Sequence, residues 1–246
     1  MENSLGIGGR AICLSLFGAG FNERLKARKP RLFGANQIIY NIGDEGRGLY
    51  FLRSGLVKLS TISESGKEII LGVYRTGEVF GEMCLYTARR MDMAVAMEPS
   101  EAAELGPDEF LAILYESREV MYDFLQSSLK RLARSYDLIR EISFDSVPVR
   151  LAKLLLRLAD EFGEPSHQGV ELTHFISQEE LSQIVLARRE VVSMALSRLR
   201  KQGLVNYNRK GRLTIHTTAL KAYIEARPEM ADRTPYEVKK KSAVPA

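Results

Sequence analysis

Between Arg188 and His216 the chain carries Arg188, Arg189, Arg198, Arg200, Lys201, Arg209, Lys210 and Arg212, with Glu190 as the only acid. A guanidinium is a planar fork of donors that matches phosphate oxygens and the O6/N7 edge of guanine. Arg188 and Arg189 stand where a helix is expected to begin. The helix dipole disfavours cations there by about 0.3–1 kcal/mol each. Residues placed against a local preference point to an external partner, and DNA would supply one. The plainer alternative is a solvated basic helix with no ligand.

The elements that must position these arginines are legible around them. Ser177-Gln178-Glu179-Glu180 is a capping box that starts one helix, with Leu181, Ile184 and Val185 facing inward. After a short turn, Val191, Val192, Ala195, Leu196 and Leu199 form the buried stripe of a second helix. Two short helices so joined describe a helix-turn-helix. Leu204–Asn208 and Leu213–His216 flank Arg209-Lys210-Gly211-Arg212, which reads as a hairpin with a basic tip. A hairpin after a helix-turn-helix is a wing. Its tip would lie on phosphates and add affinity without sequence information.

Upstream, Gly43, Gly55, Gly66 and Gly77 recur at the spacing of about 8–12 residues typical of short antiparallel strands. Between them, Gln37–Tyr40, Leu49–Leu52, Leu56–Leu59 and Glu68–Val73 are strand-like, arguing a β-sandwich or jelly roll. The period then lengthens. Met121, Leu125, Ser128, Leu132, Ser135, Ile139 and Ile142 make a heptad seam. A helix over Ser117–Ser143 would run about 40 Å and needs a partner, most economically its own copy in a two-fold dimer. The alternative is a helix lying along its own domain. The seam serines call for a hydrogen-bond partner in water, in each other or in a ligand. Phe144–Pro148 reads as a hinge, Val149–Phe162 as another helix, and Gly163–Ser166 as a loop. The lysines of the tail after Arg227 form a solvated charge run.

Composition narrows the function. With 246 residues, 45% hydrophobic and 27% charged, the chain is neither disordered nor collagen-like. The net charge of +4 is small, so the basicity matters only where it is concentrated. No apolar run spans a membrane. The short stretch Ala11–Phe17 after Arg10 lacks a cleavage site, so an N-terminal arm and a cytoplasmic location are expected. Cys13 and Cys84 cannot hold an iron–sulfur cluster, and Cys84 reads as a small buried hydrophobe. His167, His174 and His216 all lie in or beside the helix-turn-helix half, leaving the strand-rich half no histidine to ligate a haem. No nucleophile–base pair, metal cluster or phosphate loop is visible, so no enzyme is expected.

From about Arg31 to Leu220 the chain resembles the cyclic AMP receptor protein / fumarate–nitrate reduction regulator (CRP/FNR) family of transcription factors. The likeness rests on Gly43-Asp44, Leu49–Leu59, Gly66-Lys67-Glu68, Gly77–Glu82 and the helix-turn-helix. It implies an α+β chain with a jelly-roll sensor (30–116), a dimerisation helix and hinge (117–146) and a winged helix-turn-helix (147–226), and the residues outside it read as an N-terminal arm (1–29) and a mobile tail (227–246). It implies a homodimer with Met121, Leu125, Leu132, Ile139 and Ile142 at its interface, a two-fold symmetric DNA site, and contact with RNA polymerase. Arg189 and Glu190 occupy the family's base-reading positions, and Met194 stands where many relatives carry a second base-reading arginine. Arg188, Ser193, Ser177, Gln178, Lys210 and Arg212 complete the expected DNA-binding set. Leu186 replaces the turn glycine common in relatives, so the turn either avoids a positive φ or carries strain of roughly 1–2 kcal/mol.

For an effector, the resemblance assigns Gly81 and Glu82 to a ribose and Arg90 to a cyclic phosphate, with Arg89 as a substitute cation. Ser128 and Ser135 lie near the base position. Met91 replaces the phosphate-binding serine and Asp92 adds a carboxylate beside it, so a cyclic nucleotide is expected to bind weakly. The sequence calls for no other cofactor. The rival function is a cyclic-nucleotide-binding module acting on a protein partner, which would leave the basic helix-turn-helix idle.

Overall fold

In the computed structural model, residues 28–174, 176–207 and 212–226 are described. Among the described residues, eight strands precede the helix at Pro107–Glu116: β1 (Arg31–Phe33), β2 (Ile38–Tyr40), β3 (Leu49–Ser54), β4 (Leu56–Ile62), β5 (Glu68–Arg75), β6 (Val79–Phe80), β7 (Met93–Ala96) and β8 (Ser100–Leu105). They form two four-stranded antiparallel sheets, in the orders β1-β8-β3-β6 and β2-β7-β4-β5. Every strand-like run named from the sequence lies largely within one of these strands.

Side-chain alternation divides β3 and β8 between two cores. Tyr50 and Leu52 of β3 and Ala102 of β8 face the sandwich interior with Val57, Leu59, Tyr74, Phe80 and Ala94. Leu49 and Phe51 of β3, with Ala103 and Leu105 of β8, face the other way. There they meet Phe110, Ile113 and Leu114 of helix α1 (Pro107–Glu116) and Val120. A strand buried on both faces reads as a continuous apolar run rather than an alternating one.

Helix α2 (Arg118–Phe144) follows. Its outward face leaves Met121 41%, Leu125 52%, Leu132 47%, Ile139 62% and Ile142 42% exposed. Ser128 Oγ donates to the Phe124 carbonyl and Ser135 Oγ to the Arg131 carbonyl. The two seam serines are therefore satisfied one turn back on their own helix, a local option the sequence reading did not weigh.

Helix α3 (Val147–Phe162) begins with Pro148 in its first turn, where the missing N–H costs nothing. The segment read as a hinge is short and braced. Asp145 is paired with Lys153 at 2.6 Å, and Glu141 with Arg157 at 2.6 Å, both carboxylates being nearly buried. Gly163–Ser166, expected as a loop, is instead strand β9, paired with β10 (Gly169–Leu172). Its Pro165 is tolerated because β9 is the edge of its sheet.

The remaining elements are α4 (Gln178–Val185), α5 (Arg189–Lys201), β11 (Val205–Tyr207), β12 (Leu213–Ile215) and α6 (Thr217–Glu225). The third sheet runs β11-β12-β10-β9, and α3 packs on it and on α6. Internal contacts group residues up to 136 with 176–192, and 137–175 with 193 onward. The boundary in the long helix thus falls at 136/137, upstream of Asp145.

Candidate nucleic-acid interface and effector cleft

Helix α4 starts on a complete capping box. The Glu180 N–H donates to Ser177 Oγ at 3.1 Å, and the Ser177 N–H donates to Glu180 Oε2 at 2.8 Å. The Ser177 hydroxyl also donates to Glu180 Oε2, so it is committed to the cap. Gln178, the first residue of α4, is half-buried. The helix ends at Leu186, whose φ of 57° and ψ of 50° put a leucine in the left-handed region. The turn carries the strain that glycine would avoid, of roughly 1–2 kcal/mol.

Helix α5 then presents its expected face. Val192, Ala195, Leu196 and Leu199 are buried, whereas Val191 is only partly so. Arg188, Arg189, Glu190, Met194, Ser197 and Arg198 are exposed, and Ser193 is half-buried. Arg189 lies 3.8 Å from Glu179 in a pair that is more than half exposed on both sides. Such a pair is worth little and can be exchanged for another partner. Residues 189, 190, 193, 194 and 197 fall at the one-, three- and four-residue spacings of one helix face. That face offers guanidinium donors, a carboxylate acceptor and a thioether, a set suited to base edges.

β11 and β12 pair antiparallel, as a wing requires. Lys210 and the rest of the tip at 208–211 lie outside the described residues. Arg212 is described, and its guanidinium is 3.4 Å from Glu171.

The sensor cleft is arranged differently from the sequence expectation. Gly81 has a φ of 77° and leads into a short 3-10 turn at Glu82–Leu85. That positive φ favours glycine, and a Cβ there would stand 2.8 Å from Arg90 Nη1 and displace the end of that side chain. Arg90 is buried, donates to the carbonyls of Gly81 and Gly48, and stacks 4.1 Å from the Tyr40 ring centroid. The residue aligned with a phosphate arginine thus gives a bond from each Nη to backbone, while its buried Nε has no hydrogen-bond partner among the described residues. Arg89 is exposed and donates to the Gly43 carbonyl at 2.8 Å.

Arg131, which the sequence reading did not single out, enters the cleft from α2. It pairs with Glu82 at 3.1 Å and lies over the Tyr74 ring. It also donates to Ser127 Oγ and, at the limit of hydrogen-bond length, to the Val79 carbonyl and Ser128 Oγ. Burial pushes the Glu82 carboxyl above the usual carboxylate range, and Arg131 pulls it partly back. Burial likewise raises Asp92, opposed by the neighbouring Tyr40 hydroxyl and by Arg90. Cys84 is half-buried against the α1 core, and burial raises its thiol. A basic residue between two seam serines was the available signal for Arg131, but its reach to Glu82 is a long-range fact.

The comparisons agree with this geometry. Residues 30–117 match the model of the cyclic nucleotide-binding domain, and residues 149–223 that of the Crp-like helix-turn-helix domain. The chain is 31% identical over 187 residues to the global nitrogen regulator of Synechococcus elongatus, covering 74% of this chain and 83% of that protein. It is 29% identical over 186 residues to the CRP-like cAMP-activated global transcriptional regulator of Mycobacterium tuberculosis, covering 75% and 83%. Among solved structures, the c-di-GMP responsive global regulator CLP of Xanthomonas campestris superposes with a TM-score of 0.69 at 25% identity, covering 81% of this chain and 99% of that one. The strand sandwich and the helix-turn-helix are thus matched part by part, and the chain is matched across most of its length. The chain belongs to the CRP/FNR family and is a DNA-binding transcription regulator rather than an enzyme.

Proposed function

We propose that this regulator works in the cytoplasm as a homodimer joined along α2, and that each copy sets the start of α5 into the major groove of one half of a symmetric DNA site. The observation that carries this is the exposed face of α5, where Arg189 and Glu190 stand free of the core on a helix whose opposite stripe is buried. Arg189 forks onto guanine O6/N7, and Glu190 accepts from cytosine N4. Arg188 and Gln178 approach the DNA backbone near the helix starts, Ser177 acts there only by capping α4, and Lys210 and Arg212 place the wing on phosphates. The apolar face of α2, from Met121 through Leu125, Leu132 and Ile139 to Ile142, is the dimer seam. As in the family at large, the bound dimer meets RNA polymerase.

The sensor cleft is not an ordinary cyclic-nucleotide site. Both Nη nitrogens of Arg90 are held by the Gly81 and Gly48 carbonyls, Met91 offers no hydroxyl, and Oε1 of Glu82 is already paired with Arg131. The relatives named above answer to different nucleotides, one being cAMP-activated and another c-di-GMP responsive, so family alone assigns no effector. The test is equilibrium binding to a selected duplex and to a scrambled one. Arg189→Ala should remove about 10- to 100-fold of preference per half-site, whereas Lys210→Ala should weaken both duplexes alike. Unchanged preference in Arg189→Ala overturns the base-reading assignment. Loss of all DNA affinity alongside tight nucleotide binding would favour a module acting on a protein partner.

A further inference from the structure

We infer that Met194 reads the 5-methyl group of a thymine, making a T·A pair rather than a G·C pair the preferred step at its position in each half-site. The inference rests on the proposal that α5 enters the major groove. On the exposed face of α5, Arg189, Glu190, Ser193, Ser197 and Arg198 are all polar, and Met194 is the one apolar side chain among them. It is 57% exposed and lies four residues after Glu190, one turn further along the same face. A helix docked through Arg189 and Glu190 therefore carries Met194 against the next base pairs.

The chemistry of the side chain selects what it can read. A thioether has no donor, so it cannot satisfy guanine O6 and N7 and would leave those acceptors dry and unpaired. It cannot reward the cytosine amino group either, because sulfur is a weak acceptor. Thymine alone presents an apolar group to the major groove. Methionine is unbranched, polarisable and has three rotatable bonds, so its terminal Sδ–CH3 can follow a methyl group without strain in the helix. Burying one methyl group against it should be worth about fourfold in affinity per half-site, or about 15-fold over a symmetric site.

The test starts from the duplex that the full-length protein selects from random DNA. Each thymine of the half-site is replaced in turn, on both sides of the dyad, by deoxyuridine, which lacks only the methyl. Wild type, Met194→Ala and Met194→Arg are titrated against each duplex, with circular dichroism to verify folding. At one thymine position wild type should lose about 15-fold while Met194→Ala loses nothing. Met194→Arg, which supplies a donor fork, should move the preference at that position toward G·C. A wild-type protein indifferent to every uracil, or sensitive only where Met194→Ala is equally sensitive, overturns the inference while Arg189-dependent selection leaves the DNA-reading proposal standing. A protein that selects no sequence at all sinks both.

Discussion

Replacing Arg131 with alanine isolates the ion pair that fills the sensor cleft. The guanidinium pairs with Glu82 at 3.1 Å, and the two side chains keep only 24% and 17% of their surface exposed. Removing one partner of a fully buried pair costs about 3–5 kcal/mol, because the other charge stays behind without compensation. The residual exposure places this pair lower, at about 2–3 kcal/mol. For a chain of this size that corresponds to a loss of about 5–10 °C in the transition that melts the sandwich. Glu82 also gives the loss a pH signature. Its carboxyl is already held above the ordinary range by burial, so the folded state grips that proton more tightly than the unfolded state. Stability tied to Glu82 therefore rises as pH falls from the raised folded value toward the ordinary one. Without Arg131 the folded value climbs further, and the variant should recover part of its deficit as pH falls from neutral toward the ordinary carboxylate range. Glu82→Gln in the Arg131→Ala background should restore more than half of the lost stability at neutral pH. Scanning calorimetry of the full chain measures all three quantities. An Arg131→Ala protein as stable as wild type, or a double variant no better than the single, would refute the claim that a buried charge is being neutralised.

The other expectations follow from single contacts. Ser177→Ala removes the hydroxyl's bonds to Glu180, leaving the backbone N–H bond to the Glu180 carboxylate, and should cost about 1 kcal/mol in urea unfolding, with Ser177→Asp largely sparing it. Leu132→Glu puts a charge into the α2 seam of each copy and should weaken self-association by at least about 100-fold in sedimentation equilibrium. Saturating cyclic AMP should change affinity for the selected duplex by less than about twofold, since a ligand that does not discriminate between two states shifts neither. A strong gain on adding it would overturn the reading of the cleft.

What the residue order revealed depended on range. The capping box at Ser177 and Glu180 is a contact over three residues, so its spacing alone located the start of α4 to the residue. The seam of α2 and the stripe of α5 are periodic and were equally plain. Gly163–Ser166 misled because glycine and proline usually mark loops, and only pairing with Gly169–Leu172 makes that segment an edge strand. Leu186 stood as an open choice between two backbone conformations, and the requirement to close a tight helix-turn-helix selected the left-handed one. The cleft was least legible. Arg90 could be aligned with a phosphate arginine, but whether its donors face outward or grip Gly48 is decided by folding across 42 residues. Arg131 meets Glu82 through the length of its side chain and the path of α2, neither of which is written in local spacing.

The measurement that bears most directly on the regulator is the DNA sequence its full-length form selects in vitro. The selected site should be an inverted repeat whose half-site centres lie about 34 Å apart, one helical turn, and Arg189→Ala should erase the repeat. An asymmetric consensus, or an inverted repeat that survives Arg189→Ala, would contradict a two-fold pair of α5 helices reading the major groove.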